Sequence, residues 1–273
     1  AFRHERPQKG RFRQFHQFNV EAIGTESIAQ DAWFITMLDR LFCDVLNLDM
    51  YSLQINFLGT AEDRKLYKIK LAEFLDEQIN DICQTCKERR HKNIMRVFDC
   101  KCQTCKDIYQ KAPFIVDYLS KESKKEWQEL KSLLEILSVS FSYNPMLVRG
   151  LDYYNKTVFE FSSSHLGAQD AICGGGRYDL AKELGAKTDC PSVGVAIGIE
   201  RILALLLLKK DSLVLPIKKT LNVVAPLSEE QYPLALIVAD QIESAGLCTD
   251  IIFGRPSVRS LMRKANNMAA QYV

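Results

Sequence analysis

The sequence predicts an α+β protein: an antiparallel sheet carrying helices, interrupted by a helical insertion and followed by the start of a separate α/β unit. Three observations predict it. Segments with alternating apolar residues occur early, at 14–23 and 51–59, and return at 145–198. Between them, from about Thr60 to Asn144, the texture is charged and helix-forming, as in AEDRKLYKIKLAEFLDEQI and SKESKKEWQELKSLLEIL. After Pro216 the pattern alternates strand, helix, strand, helix, as a separate α/β unit does. The 273 residues, 47% hydrophobic and 26% charged, suffice for a main domain and smaller ones. A net charge of +2 excludes an overall basic field, so any anion site has to be local. The longest apolar run, Ile202 to Leu208, is too short for a membrane span. Nine cysteines without a secretory signal or Arg-rich leader suit a reducing compartment, so a cytoplasmic protein with no membrane partner is expected.

The opening AFRHERPQKGRFRQFHQF sets Arg3, Arg6, Lys9, Arg11 and Arg13 against one acid, Glu5. Residues 2–6 and 14–23 read as two strands joined by PQKGRFR, whose Pro and Gly break any periodicity. Guanidinium groups fork onto phosphate oxygens and a Gly-containing loop can close over a ligand. The hairpin is therefore a polyphosphate candidate, with a solvated basic hairpin as the competing reading. Along the second strand, period-2 geometry puts Phe15, Gln17, Asn19, Glu21 and Ile23 on one unusually polar face. Ile28, Ala32, Trp33, Leu38, Leu41 and Val45 then recur near helical spacing over Glu26–Leu46, with Thr25 or Ser27 as N-cap. YSLQINFLG alternates again, with Tyr51, Leu53, Ile55 and Phe57 on one face.

The returning sheet carries three more cues. In LVRGLDYY, Arg149 ends an apolar run beside Tyr153 and Tyr154, a cation with hydroxyl donors at hand; an arginine snorkelling from a strand end is the plainer reading. GGGRYD lacks both the Lys-Ser/Thr of a phosphate loop and dinucleotide-binding spacing, and its glycines fit a tight turn or a close backbone approach to a ligand. In GVAIGIERI, Gly194 and Gly198 thin a buried strand before Glu200 and Arg201 open a helix, where a charged pair is ordinarily a cap or surface feature. The final βαβα alternation stops at QYV where another strand is expected, so both ends of the chain read as cut. Among the cysteines, Cys83-x2-Cys86 and Cys102-x2-Cys105 have the spacing of a four-thiolate zinc ribbon, with free thiols as the alternative and Cys100 left over.

In their order along the chain these motifs resemble those of one family. FRHERPQKGRFRQFHQF resembles the second signature motif of class II aminoacyl-tRNA synthetases, and GVAIGIERI their third. LVRGLDYYNKTVFEF and AICGGGRYDL are similar to the two peptides specific to histidyl-tRNA synthetases. The resemblance implies a class II antiparallel-sheet core over 1–58 and 146–218, a helical insertion domain over 59–145 and a partial anticodon-binding domain over 219–273. It implies ATP-dependent ligation of L-histidine to its tRNA through a histidyl-adenylate, releasing AMP and pyrophosphate, by a homodimer that takes ATP with Mg2+. The family does not generally depend on a structural metal, so a structural Zn2+ stands level with free thiols.

Carried over residue by residue, Arg3 would hold the ATP α-phosphate near the histidine carboxylate. Glu5 and Arg11 would meet the adenine end and the outer phosphates, and Phe15 would stack on adenine. Arg201 would cover the nucleotide's other face, and Arg149 would be the distinctive catalytic cation. Gln17, Glu21, Tyr153, Tyr154 and Tyr178 would shape the histidine pocket. The family's first motif would lie before Ala1, and Leu180 stands where the family usually has Gly. The rival is a synthetase-like, histidine-sensing regulatory subunit of ATP phosphoribosyltransferase without ligase activity. A synthetase-like domain of a kinase sensing uncharged tRNA comes third. Intact FRHER, RGLDYY and GGGRYD favour the enzyme.

Overall fold

Alternate residues of the central strands are small on one side and large and apolar on the other, which decides the face of the sheet that helices cover. A computed structural model describes residues 1–4, 7–8, 10–149, 153–167, 170–210, 213, 220–254 and 257–273, in two units, Ala1–Asp211 and Ser212–Val273. The larger unit holds six strands: β1 (Gln17–Ile23), β2 (Ser52–Phe57), β3 (Ser142–Tyr143), β4 (Tyr154–Ser162), β5 (Ala171–Tyr178) and β6 (Ser192–Gly198). They lie in the order β1-β6-β5-β4-β2-β3, antiparallel except where β2 meets β3. The register aligns Glu160, Gly174, Ala196 and Asn19 across four strands, so all four share a face. On the other face Phe159, Phe161, Val193, Val195 and Ile197 are buried against helix α1 (Ile28–Arg40), where the Phe34 ring sits 6.3 Å from that of Phe159.

Two elements differ from the sequence expectation. Of the strand expected over residues 2–6, the described residues 2–4 form none, and residues 5 and 6 lie outside the described residues: Phe2 and Gln14, then Gln8 and Arg11, meet as isolated antiparallel bridges, and β1 begins only at Gln17. Pro7 has no N–H to extend a ladder, and Gly10 turns the chain at φ +72°. The helix expected over Glu26–Leu46 is α-helical only to Arg40 and continues as a π-helical turn over Leu41–Val45, closed by Leu46 N–H donating to the Leu41 carbonyl at 3.0 Å. Ser27 is its N-cap residue, but its side chain makes no capping bond.

Between β2 and β3 lie α2 (Ala61–Glu77), α3 (Gln84–Lys92), a 3-10 turn (Ile94–Asp99), α4 (Gln103–Tyr109) and α5 (Lys121–Ile136). A capping box joins Thr60 and Asp63 at the start of α2, and the same Asp63 carboxylate accepts from the Ser120 N–H at 2.8 Å. One buried acid thus fixes the entry of both long helices. Trp127 of α5 packs on Phe57 of β2 with ring centroids 5.9 Å apart, and the buried residues of this segment are continuous with the sheet's core. In the smaller unit, β7 (Leu221–Val224), α7 (Tyr232–Ser244), β8 (Cys248–Ile251) and α8 (Val258–Asn267) alternate, and β7 pairs β8 in parallel. Tyr272 bridges Asn222 in parallel, where the alternation called for a strand. No described helix is long and apolar enough to cross a membrane.

Candidate functional site

The uncovered face of the sheet has a floor of small residues: Gly174 and Gly176 on β5, and Gly194, Ala196 and Gly198 on β6. The three glycines of GGGRYD lie inside a strand, not in the tight turn that was one reading of them, because β5 is paired on both edges. Gly174 among them, and Gly194 on β6, make room for neighbouring side chains. A Cβ on Gly174 would stand 2.4 Å from Arg149 Nη1, and one on Gly194 would stand 1.6 Å from Glu21 Oε2. The guanidinium and the carboxylate each lie against bare backbone.

Arg3, Phe15, Gln17, Arg149 and Arg201 line one cleft above this floor, together with Gly10 and Phe12 from the opening loop. Arg149 Nη1 donates to Glu160 Oε2 at 2.7 Å. Burial holds the Glu160 carboxyl above the usual glutamate range, and Arg149 pulls the other way. The Arg3 guanidinium lies 3.7 Å from the centroid of the Phe15 ring, over the surface expected to take adenine. Arg201 donates from Nε to the Gly10 carbonyl at 3.1 Å and from Nη1 to the Ala171 carbonyl, pinning the loop to the start of β5. Burial, and then the nearby charges of Arg3 and Arg11, make its guanidinium easier to deprotonate than usual. Arg11 itself is bridged to Gln8 within the loop. Glu200 is no bare helix cap: its Oε1 accepts from the His16 N–H and meets His16 Nδ1, both at 2.8 Å. Glu5 lies outside the described residues.

Farther along the same face the site becomes aromatic. Tyr178 donates from its hydroxyl to Glu21 Oε2 at 2.8 Å. Tyr153 and Tyr154 flank it, with centroids 5.6 and 6.4 Å from the Tyr178 ring and 4.6 Å from each other. Burial and the Glu21 carboxylate push the Tyr178 hydroxyl up to about 12, so it is a neutral donor near pH 7. A carboxylate held by a phenol, walled by rings, can accept from an N–H of a small heteroaromatic ligand.

Sequence reasoning missed three participants. Glu160 lies in TVFEF, at the end of the peptide LVRGLDYYNKTVFEF, where sequence reasoning gives it no role, and its register opposite Gly174 reveals it. Arg177, within GGGRYD, points to the covered face and pairs with Asp31 of α1, both buried. The third is a cysteine. The sulfurs of Cys83, Cys86, Cys100 and Cys105 lie within 4.8 Å of one another, so Cys100 replaces Cys102 of the expected set. Cys102 is the N-cap residue of α4, and its contribution is a backbone N–H donated to Cys100 Sγ at 3.4 Å.

The chain is similar to known proteins of one family. The family model described as histidyl-tRNA synthetase matches residues 1–202. The histidine–tRNA ligase of Thermodesulfovibrio yellowstonii is 40% identical over 272 residues, covering 100% of this chain and 64% of that protein. That of Nitratiruptor sp. is 43% identical over 273 residues, covering 99% and 64%. The crystal structure of apo S. aureus histidyl-tRNA synthetase superposes with a TM-score of 0.69 at 29% identity, over 95% of this chain and 64% of that one. The chain therefore spans 64% of the length of these relatives, and it belongs to the histidyl-tRNA synthetase family.

Proposed function

We propose that this chain carries the amino-acid-activating site of a histidine–tRNA ligase, with L-histidine, ATP as its Mg2+ complex and the histidine tRNA as substrates. The observation that supports it best is that one sheet face carries both Arg149, lying on Gly174, and the Glu21–Tyr178 pair, lying on Gly194. Glu21 accepts from the imidazole, while Tyr153, Tyr154 and Tyr178 enclose the ring and Gln17 lines the approach. This leaves the α-carboxylate toward Arg3 and Arg149. A carboxylate oxygen attacks the α-phosphorus as the bond to pyrophosphate breaks, and the two guanidinium groups neutralise the charge gathering there. Phe15 and Arg201 hold the nucleotide, and Arg11 and Glu5 meet its outer phosphates and adenine end. The terminal adenosine of the tRNA then takes the acyl group and AMP leaves. No side-chain nucleophile is needed.

In this reading the enzyme is a cytoplasmic homodimer, 1–58 and 146–218 form its catalytic core, 59–145 its insertion domain, and 219–273 part of its anticodon-binding domain. The test is ATP–pyrophosphate exchange by the full-length protein with each amino acid in turn, beside Glu21→Gln. Exchange with histidine alone is expected, and the variant should raise the KM for histidine by roughly tenfold or more, because the pocket loses its anionic acceptor. Histidine binding without exchange would instead identify a sensor.

A further inference from the structure

We propose that Cys83, Cys86, Cys100 and Cys105 bind one structural Zn2+ that ties the start of α3 to the start of α4, a role independent of the catalytic reading. Zinc–thiolate bonds of about 2.3 Å at tetrahedral angles set sulfurs roughly 3.8 Å apart. Cys83 Sγ and Cys100 Sγ are 3.7 Å apart, and all four sulfurs fall within 4.8 Å of one another. No other side-chain type is needed to complete the ligand set.

The surroundings suit thiolates rather than packed thiols. The Cys83 N–H donates to Cys105 Sγ at 3.2 Å and the Cys102 N–H to Cys100 Sγ at 3.4 Å, the outer hydrogen bonds that orient and stabilise metal-bound sulfur. The buried Tyr109 hydroxyl, one helical turn from Cys105 on α4, has no hydrogen-bond partner among the described residues. A small-hydrophobe role for these cysteines accounts for none of these donors, and a disulfide would use only two of the sulfurs.

A metal would also add to the packing that holds this segment. Helices α3 and α4 have nine and seven residues, joined by a six-residue 3-10 turn, too short to hold shape by their own hydrogen bonding. A tetrahedral cross-link at their N-termini fixes both.

The test is elemental analysis of the full-length protein purified without chelator, beside Cys100→Ser and Cys102→Ser. Wild type and Cys102→Ser should carry about one zinc per chain, and Cys100→Ser below about a tenth. Should Cys100→Ser fail to fold, Co2+ exchanged into wild type decides: tetrahedral ligand-field bands with intense thiolate-to-cobalt charge transfer are expected. Metal-free wild type that leaves Co2+ octahedral would overturn the proposal. So would iron in place of zinc, a mapped Cys83–Cys100 disulfide, or zinc lost from Cys102→Ser and kept in Cys100→Ser.

Discussion

Arg149 and Arg177 each meet a carboxylate beside the same strand, β5, on opposite faces of the sheet. Arg177 and Asp31 are 2% and 0% exposed. Besides that carboxylate, the Arg177 guanidinium donates to the backbone carbonyls of Thr25 and of Ser27, at 3.0 Å for the latter, so each of its three nitrogens is engaged in holding α1 to the sheet. Arg149 and Glu160 are each 24% exposed, at the rim of the cleft, and among the described residues the Arg149 Nε has no hydrogen-bond partner. The same two functional groups thus serve different ends. Saturated and dry, the pair is a structural tie whose loss strands a charge; a quarter exposed, it is, in the function proposed above, the cation that meets the ligand.

The largest effect expected from this contrast is on stability. Arg177→Met leaves Asp31 buried and unpaired, which should cost about 3–5 kcal/mol in urea unfolding, and adding Asp31→Leu should recover most of that loss. Burial already lifts the Asp31 carboxyl despite Arg177, the sign of an expensive site. Full stability in the single variant would break the comparison.

The adjacent glycines sharpen it. A Cβ on Gly175 would meet the Gly194 carbonyl oxygen at 2.0 Å, a backbone atom that cannot step aside, so Gly175→Ala should destabilise by about 1–3 kcal/mol. The nearest atoms to a Cβ on Gly174 are those of the Arg149 guanidinium, the far end of a flexible side chain. Gly174→Ala should leave the urea midpoint nearly unchanged while slowing pyrophosphate exchange roughly 10–100-fold by displacing the cation. Equal effects of the two on stability would show that both faces are merely packed.

The smallest effect is a pH dependence. Glu160 has a folded pKa raised above its ordinary 4.5, so its proton stabilises the fold below that value and the contribution is lost as pH rises through the folded pKa. Compared with Glu160→Gln, wild-type stability should decline from about pH 4.5 upward and then level. A rise with pH would mean that Arg149, not burial, governs this carboxylate.

Period and motif order carried much of the fold. The polar set Gln17, Asn19 and Glu21 lies on the cleft face as the strand's alternation requires, and β2, β5, β6 and the closing βαβα unit fall where periodicity put them. What stayed hidden depends on register and on chain ends meeting in space. In one dimension GGGRYD, though within a stretch read as sheet, also allows a tight turn, and the pairing of β4 and β6 along both its edges rules the turn out. The partnership of Arg177 with Asp31 spans 146 positions, and no local pattern announces it. Cys100 lost to Cys102 in the sequence because the CxxC spacing assumes one knuckle shape. The 3-10 turn before α4 delivers the earlier sulfur instead.

The central claim is that the small-residue face performs chemistry and the apolar face holds the fold. Arg149→Ala, measured by histidine-dependent ATP–pyrophosphate exchange and urea unfolding on one preparation, tests it most directly. Exchange should fall at least ~100-fold while stability moves by less than about 1 kcal/mol, as for a partly exposed ion pair. Retained exchange, or a loss of activity that only follows unfolding, would contradict the account.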